Sequence, residues 1–276
     1  MRGHLGTILA VAALVSACAV SPTGRRQFIL VSESQAIAAS REAYLTQMTE
    51  LSQAGKIVAD PVITRRVEGI TSKLVAQAVM VRPETANWEW SVEVIDDPEM
   101  VNAWCMAGGR MAVYTGLLQK VNPTDDELAQ VMGHEISHAL ANHTAERMSV
   151  AMATSAGVAI AGILSENSVA AMSAAGAAAA LAITLPNSRT SESEADEIGI
   201  ELAAKAGYDP RAAVTLWQKM GAVGGEGPPQ FMSTHPAPEN RQQKLGELVP
   251  KVMPFYQATV GKQVPTYTLR ETLATP

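Results

Sequence analysis

The chain has 276 residues, of which 47% are hydrophobic and 17% are charged, and its formal net charge is −6. This length allows one good-sized hydrophobic core together with a processed leader. Adjacent basic residues occur only at Arg25-Arg26 and Arg65-Arg66. A nucleic-acid-binding surface normally needs a larger basic cluster, so the composition argues against nucleic acid as a partner.

The first 17 residues have the features of a signal peptide. Arg2 precedes an apolar run at positions 5–15, and small residues follow that run. Residues 15–18 are Val-Ser-Ala-Cys, which is typical of a lipoprotein cleavage box, in which Cys18 becomes the lipid-bearing first residue. A simple secretory signal that is cut near residue 17 or 19 is the alternative.

Lipidation of Cys18 would make residues 18–32 a lipidated N-terminus and tether, because Pro-Thr-Gly at 22–24 interrupts regular structure. Several acyl chains on one cysteine anchor a protein firmly, since a single chain binds a membrane only marginally. Ala19 puts no acidic residue after Cys18, which resembles lipoproteins that are sent to the outer membrane. The expected location is therefore the periplasmic side of that membrane. Cys105 would be the remaining thiol, which excludes an intrachain disulfide.

Two amphipathic helices are predicted at residues 34–53 and 61–81, and both are interpreted as scaffold. Residues 88–95 alternate with period two and predict a strand. Residues 101–118 predict a hairpin with the two glycines of the turn at 108–109. It is either an ordinary hairpin or an edge strand beside a catalytic site that pairs with an extended substrate backbone. In the second case the substrate-strand residues are Asn102, Ala103, Gly108 and Gly109.

A helix that carries an H-E-x-x-H pattern follows this hairpin. Residues 122–127 predict its start, because acidic residues lie at the positive end of the helix dipole. His134 and His138 lie about one turn apart on one face and can bind a single metal ion. Glu135 points too far round the helix to share their coordination easily, yet it can take a proton from a water at the metal. The pattern predicts a zinc hydrolase, and the alternative is a surface helix that carries two histidines by chance.

The metal helix is predicted to continue to about Met148. On such a helix His143 points about 140° away from His138, so it is interpreted as a supporting or surface residue. Residues 150–164 and 169–185 are two apolar blocks rich in alanine and glycine. Each is shorter than the ~20 residues that span a bilayer. They predict a buried or groove-covering helical hairpin, with a hairpin that dips into the membrane as the alternative.

A further helix is predicted near residues 186–199, and it carries three acidic side chains. Glu192 and Asp196 share one face, whereas Glu194 lies about 200° away from Glu192. Zinc hydrolases of this kind commonly complete two histidines with a glutamate and a water. Spacing alone would also allow Glu194 as the ligand. Glu192 is preferred, because Asp196 can then support the site by hydrogen-bonding a ligand histidine. The alternative is a solvated acidic helix start.

His235 lies in a loop that Pro236 makes rigid. It can approach the metal or a substrate oxyanion, or it is an ordinary loop histidine. A last helix is predicted to end near Leu248, and residues 251–276 form a C-terminal tail.

These motifs resemble the gluzincin metallopeptidases of peptidase family M48, which include heat-shock proteases, CaaX prenyl proteases and periplasmic quality-control lipoproteins. The similarity extends from about residue 23 to Arg241. Residues 104–107, Trp-Cys-Met-Ala, depart from the family, in which an aromatic residue and a proline are common there, and Arg110 is a second departure. Both affect the expected substrate preference. The motifs that carry the resemblance are Asn102-Ala103, Gly108-Gly109, Val113-Tyr114-Thr115-Gly116, His134-Glu135-x-x-His138, Glu192-x-Glu194-Ala195-Asp196 and Ser233-Thr234-His235-Pro236.

The resemblance implies an α+β, mostly helical, zincin-like domain over residues 33–250, with a small antiparallel sheet beside the H-E-x-x-H helix. It supports one zinc ion per chain, held by His134, His138 and Glu192. It gives Glu135 the role of base and Asp196 a supporting or proton-donating role. In periplasmic members of the family the corresponding His-Pro loop lies near the active site, so the resemblance implies that His235 can cap the zinc in a latent state.

The expected function is therefore that of a zinc endopeptidase of the bacterial cell envelope. Its expected substrates are misfolded or stalled envelope polypeptides, with membrane contact through the N-terminal lipid and an assembly machinery as a further partner. The rival hypothesis is a latent or non-proteolytic chaperone or assembly factor whose zinc is capped by His235.

Overall fold

The structure, a computed structural model, describes residues 18–164, 187–223, 229–236 and 240–271, without the side chains of residues 18 and 155–164. The predicted signal peptide and the apolar block at 169–185 lie outside the described residues. The chain divides into two compact units, Met1–Ala36 with Asn142–Leu185 and Ile37–Ala141 with Pro186–Pro276. The smaller unit contains both ends of the predicted tether, and the larger one contains the H-E-x-x-H pattern.

Most of the described chain is helical, which confirms the predicted fold class. No helix in the described part of the chain combines the length and the apolar character that crossing a membrane requires. The elements in chain order are β1 (Cys18–Val20), β2 (Arg26–Phe28), α1 (Glu33–Gln53), α2 (Pro61–Val81), β3 (Ser91–Ile95), β4 (Ala103–Cys105), β5 (Arg110–Tyr114), α3 (Asp125–Leu140), α4 (His143–Leu164), α5 (Arg189–Lys205), α6 (Ala212–Ala222), α7 (Gln230–Thr234) and α8 (Arg241–Thr259).

In the smaller unit, the segment predicted to be a tether contains an antiparallel hairpin of β1 and β2. Arg25 at its turn donates two hydrogen bonds to the carboxylate of Glu146 in α4, at 2.8 and 2.6 Å. The hydroxyl of Ser149, one turn further along α4, accepts hydrogen bonds from the backbone N–H groups of Leu30 and Val31. The hairpin and the segment after it are therefore fastened to one face of α4.

The metal helix is shorter than predicted. It ends at Leu140, and α4 begins at His143. Asn142 between them takes a left-handed conformation with φ +55°, which no α-helix can contain. Asparagine tolerates this conformation better than most residues, and the apolar pattern gives no sign of it. His143 is fully buried in the smaller unit and so is not a surface residue.

The larger unit contains a three-stranded sheet in the order β3-β5-β4. β4 and β5 form the predicted antiparallel hairpin, but β5 pairs in parallel with β3, so the sheet is mixed rather than antiparallel. A period-two pattern predicts strands but not their partners, which explains the difference. The central position of β5 leaves β4 at an edge. The sheet and α2, α3, α5 and α6 enclose a core whose fully buried members include Trp90, Met111, Leu128, Met132 and Ile136.

The last helix continues beyond the predicted end near Leu248. α8 runs to Thr259 with Pro250 and Pro254 inside it. Residues after the helix also contribute to the larger unit, since the N–H of Tyr267 donates to the carbonyl of Ser72 and the N–H of Arg270 donates to the carbonyl of Trp90. The predicted boundary at residue 250 therefore falls within a helix, and the described part of the tail packs on the fold.

Candidate metal centre

A capping box fixes the start of α3. The hydroxyl of Thr124 accepts a hydrogen bond from the N–H of Glu127, and the carboxylate of Glu127 accepts one from the N–H of Thr124. From this start, positions 134 and 138 fall one turn apart on the same face. Both histidines are 4% exposed, so each faces the interior of the unit.

Two glycines let α3 and α5 approach each other closely beside the histidines. A Cβ atom on Gly199 would lie 2.8 Å from the backbone nitrogen of His134, and one on Gly133 would lie 2.9 Å from the carbonyl oxygen of Gly199. Neither position has room for a side chain. This contact determines where Glu192 and Asp196, two turns and one turn before Gly199, meet the histidines of α3.

Four buried side chains direct one ligand atom each towards a common centre. His134 Nε2 lies 3.1 Å from His138 Nε2, 3.2 Å from Glu192 Oε2 and 3.3 Å from His235 Nδ1. Glu192 Oε1 lies 3.3 Å from His138 Nε2 and 3.0 Å from His235 Nδ1. We call this group of His134, His138, Glu192 and His235 the ligand cage.

The ligand cage fits a zinc ion. Ligand atoms about 2.0–2.1 Å from a tetrahedrally coordinated zinc are about 3.3–3.4 Å apart from one another. Five contacts in the cage, in which Glu192 uses both carboxylate oxygens, are 3.0–3.3 Å long and so close to that length. With one ligand atom taken from each residue, all four atoms lie within 4.8 Å of one another. Imidazole nitrogens and a carboxylate oxygen are also the donors that zinc prefers. The three predicted ligands are brought together, and a fourth donor lies with them.

His235 provides that fourth donor. It follows the short helix α7, and its ring stacks on Phe231 with the ring centres 4.5 Å apart. The side-chain amide of Asn187 lies 3.4 Å from its Nδ1, and the residue is 5% exposed. Among the alternatives that the sequence left open, the structure favours the approach of His235 to the metal.

Glu135 lies beside the ligand cage and is 2% exposed. Its Oε1 is 3.4 Å from His235 Nε2 and makes no hydrogen bond to any residue that the structure describes. Burial raises the pKa of this carboxyl, and the charges of His235 and His134 reduce that effect. A carboxylate oxygen with free acceptor capacity next to metal ligands is suited to take a proton from a water molecule at this place.

The charges within the cage favour a cation at its centre. Burial opposes ionisation of Glu192, but the charges of His134 and His138 outweigh it and hold the pKa of Glu192 far below its usual range. Burial likewise lowers the pKa of His134, but the charge of Glu192 and a hydrogen bond to Asp196 raise it to about 9. Both shifts arise from the attraction between the Glu192 carboxylate and the imidazoles, which a divalent ion held between them would replace.

Asp196 and Arg241 contact the Nδ1 atom of the ligand His134. Asp196 Oδ1 lies 3.0 Å from His134 Nδ1, as the support of a ligand histidine by a carboxylate requires. Arg241 donates to the same Oδ1 at 2.5 Å and to Glu192 Oε2 at 3.3 Å. Sequence reasoning does not assign a role to Arg241, because a single arginine at a helix start forms no pattern. Its place at the end of the motifs that resemble the family is the one signal.

The alternative ligand Glu194 is not part of the ligand cage. It is 4% exposed, but the metal-binding group among the described residues contains Glu192 instead. The geometry therefore favours the choice that was made from the position of Asp196.

β4 lies at the end of the strand order and contacts α3. The N–H of Met106 donates to the carbonyl of Arg110 in β5. Because pairing alternates along an antiparallel strand, Ala103 and Cys105 direct their backbone groups away from β5. The N–H of Ala103 is 3.0 Å from the side-chain oxygen of Asn102, which accepts its hydrogen bond. The carbonyl of Ala103 and the backbone of Cys105 thus face the side on which an extended peptide can add.

Gly108 and Gly109 lie elsewhere. Their φ angles are +88° and +86°, and their carbonyls accept hydrogen bonds from the N–H groups of Glu89 and Ser91, on the β3 side of the sheet. A Cβ on Gly109 would lie 2.5 Å from the ring of Trp90. These glycines form the turn and pack against Trp90. Of the residues predicted for the substrate strand, Asn102 and Ala103 therefore lie at the edge, and Gly108 and Gly109 do not.

Two histidines one turn apart on a buried helix, a glutamate base between them and a glutamate ligand from a later helix define a gluzincin-type metallopeptidase site. The sequence profile of peptidase family M48 matches residues 61–249, and the chain belongs to this family. The predicted family is confirmed, and with it zinc as the cofactor that this family uses.

Three curated relatives illustrate the similarity. The mitochondrial metalloendopeptidase OMA1 of Arabidopsis thaliana is 39% identical over 57% of this chain and 31% of its own length. The enzyme of the same name from Schizosaccharomyces pombe is 32% identical over 83% of this chain and 65% of its own length. The beta-barrel assembly-enhancing protease of Escherichia coli is 30% identical over 70% of this chain and 40% of its own length. The chain thus spans about a third to two thirds of these relatives.

Proposed function

We propose that the protein is a zinc-dependent endopeptidase of the bacterial cell envelope that degrades misfolded or stalled envelope polypeptides. The observation that carries the proposal is the ligand cage with the free carboxylate oxygen of Glu135 beside it. A structural zinc site has no need of a buried base, whereas a hydrolase requires one.

The envelope location is supported by the N-terminal sequence and by one relative. The cleavage box at residues 15–18 favours a lipid on Cys18 and a place on the periplasmic side of the outer membrane. The name of the Escherichia coli relative refers to beta-barrel assembly, which favours unfolded envelope polypeptides as substrates and an assembly machinery as a partner. Other relatives are mitochondrial by name, so the family itself does not decide the location.

In the proposed mechanism, His134, His138 and Glu192 would hold a zinc ion, which would supply Lewis-acid polarisation of the scissile carbonyl. Glu135 takes a proton from the attacking water and passes it towards the leaving amine. The substrate backbone pairs with the open edge of β4, which aligns the scissile bond with the site.

The test is the cleavage of an unfolded model protein by the purified full chain that carries one zinc ion. Glu135→Gln keeps the size of the side chain and removes the base. We expect this variant to bind zinc like the original protein and to lose at least 10²-fold in turnover. A chelator should abolish the activity, and zinc should restore it. Turnover retained in Glu135→Gln would refute the mechanism.

A latent enzyme is the second candidate, and the position of His235 favours it. A catalytic zinc site keeps one coordination position open for water or substrate. In the ligand cage the Nδ1 of His235 lies 3.3 Å from His134 Nε2 and would take that fourth position. A zinc ion bound by all four donors would be capped, and the protein would then act as a chaperone or assembly factor until His235 moves.

His235→Ala distinguishes the two candidates. Removing a cap opens the fourth position, so the activity should rise. A loss of activity with zinc still bound would instead give His235 a role in binding the transition state. The measurement is the rate of cleavage per bound zinc, so that a change in occupancy is not mistaken for a change in turnover.

A further inference from the structure

Arg241 connects two carboxylates of the zinc site through one planar group. Its Nη2 donates to Asp196 Oδ1 at 2.5 Å, and its Nη1 donates to Glu192 Oε2 at 3.3 Å. Asp196 is the support of His134, and Glu192 is itself a ligand. A single side chain therefore contacts one predicted metal ligand, Glu192, and the carboxylate of Asp196 that supports another.

The plane of the guanidinium is itself fixed. Its Cζ lies 3.7 Å from the ring centre of Trp217, a distance at which the cation stacks on the aromatic face. Arg241 is 4% exposed, so its position is set by these contacts rather than by solvent. Such a fixed fork can orient two acceptors at once, which the single ammonium group of lysine cannot do.

We infer that Arg241 is a positioning residue of the proposed zinc site, which clamps Glu192 and Asp196 in the orientation that metal binding requires. Through Asp196 it also fixes the orientation of the His134 ring. The residue touches neither the expected substrate nor the reacting atoms. Its Nη2 also lies 3.1 Å from His134 Nδ1 and 3.4 Å from His134 Nε2, so it contacts the ligand ring directly as well as the two carboxylates.

The clamp and a simple charge effect predict opposite results. Arg241 places a positive charge close to a divalent cation, so by charge alone its removal should strengthen zinc binding. If Arg241 acts by positioning, its removal should weaken zinc binding, because groups that orient metal ligands typically account for 10–100-fold in affinity. Arg241→Met removes the charge and keeps much of the apolar bulk, and Arg241→Lys keeps the charge and removes the fork.

The experiment measures the zinc dissociation constant of the full chain by competition with a chelating dye. We expect both Arg241→Lys and Arg241→Met to weaken zinc binding by 10–100-fold. The visible absorption of the cobalt-loaded variants should change as well, because it reports ligand geometry. Arg270→Lys is the matched control, since Arg270 is an exposed arginine whose ion pair with Glu89 lies away from the cage.

Unchanged binding in Arg241→Lys would overturn the inference, and so would tighter binding in Arg241→Met. If Arg241→Met fails to fold, the lysine variant still decides. A double variant with Asp196→Asn adds a second criterion. If Arg241 acts through Asp196, the two losses should combine to less than their product, and independent losses would contradict the clamp. None of these measurements needs peptidase activity, so a failure of the proposed function remains distinguishable.

Discussion

The close contact between α3 and α5 predicts that one methyl group can damage the metal site. In Gly199→Ala the new Cβ would lie 2.8 Å from the nitrogen of His134, 2.9 Å from its Cα and 3.0 Å from the carbonyl carbon of Gly133. All three neighbours are backbone atoms of a helix. They cannot move aside as a flexible side chain would, so the helices must separate.

The magnitude follows from contact distances. Non-bonded heavy atoms prefer separations of about 3.5–4.0 Å, so the helices must move apart by about 0.7 Å or more. Overpacking of this kind costs about 1–3 kcal/mol. Replacing a helical glycine by alanine also gains about 0.5–1 kcal/mol in backbone entropy. Gly199→Ala should therefore lower the free energy of unfolding by up to about 2.5 kcal/mol.

The effect on the metal should be larger than the effect on stability. Glu192 and Asp196 move with α5, whereas His134 and His138 move with α3. Zinc–ligand distances tolerate changes of only about 0.2 Å. We expect the zinc affinity of Gly199→Ala to fall by about 10–100-fold, similar to the loss of an orienting group.

The assay combines chemical denaturation of the metal-free protein with zinc competition. Gly246→Ala is the matched control, because it makes the same substitution in α8 where a Cβ meets nothing within 4 Å. It should gain about 0.5–1 kcal/mol in stability and bind zinc unchanged. If Gly199→Ala behaved like Gly246→Ala in both measurements, the argument that this helix contact sets the site would be wrong.

Two further predictions concern buried groups outside the cage. Burial raises the pKa of Glu127, but hydrogen bonds from Lys219 and Thr124 outweigh this and lower it below 4.5. Glu127→Gln should thus lower the free energy of unfolding by about 1 kcal/mol at neutral pH. The difference in this free energy between the variant and the original protein should shrink below about pH 4.5, as the folded-state pKa of Glu127 is reached. Denaturation curves that show the same difference at every pH would contradict this. Burial, aided by the charge of Glu135, raises the pKa of Cys105 well above its usual value. The native protein should therefore resist alkylation by iodoacetamide at pH 7.5 and react after denaturation, as mass spectrometry can show; equal rates in both states would refute it.

The chemistry of the site could be predicted further than its geometry. The spacing of His134 and His138 fixes their common face on any helix, and the spacing of Glu192 and Asp196 does the same. What the sequence could not show is that two glycines bring these helices into contact. The position of His235 depends on a stack with Phe231, which a loop sequence does not reveal.

Errors in the fold arose where local patterns continue through a break. The metal helix is predicted to continue through Asn142, but the left-handed backbone conformation of this residue separates α3 from α4. The opposite error concerns the last helix, which is predicted to end near Leu248 but continues through Pro250 and Pro254 to Thr259. The pairing of the strands could not be predicted either. β3 pairs with β5, although β4 lies between them in the sequence.

The fastening of the N-terminal hairpin to α4 has a mechanical consequence. A pull on residue 18 loads β1 and its turn, and the turn is held by the two hydrogen bonds of Arg25 with Glu146. The next restraint in line is Ser149, which holds the backbone at Leu30 and Val31. Force applied at the predicted anchor is therefore borne by α4 before it reaches α1. Tension between a membrane and this protein would be carried by that helix.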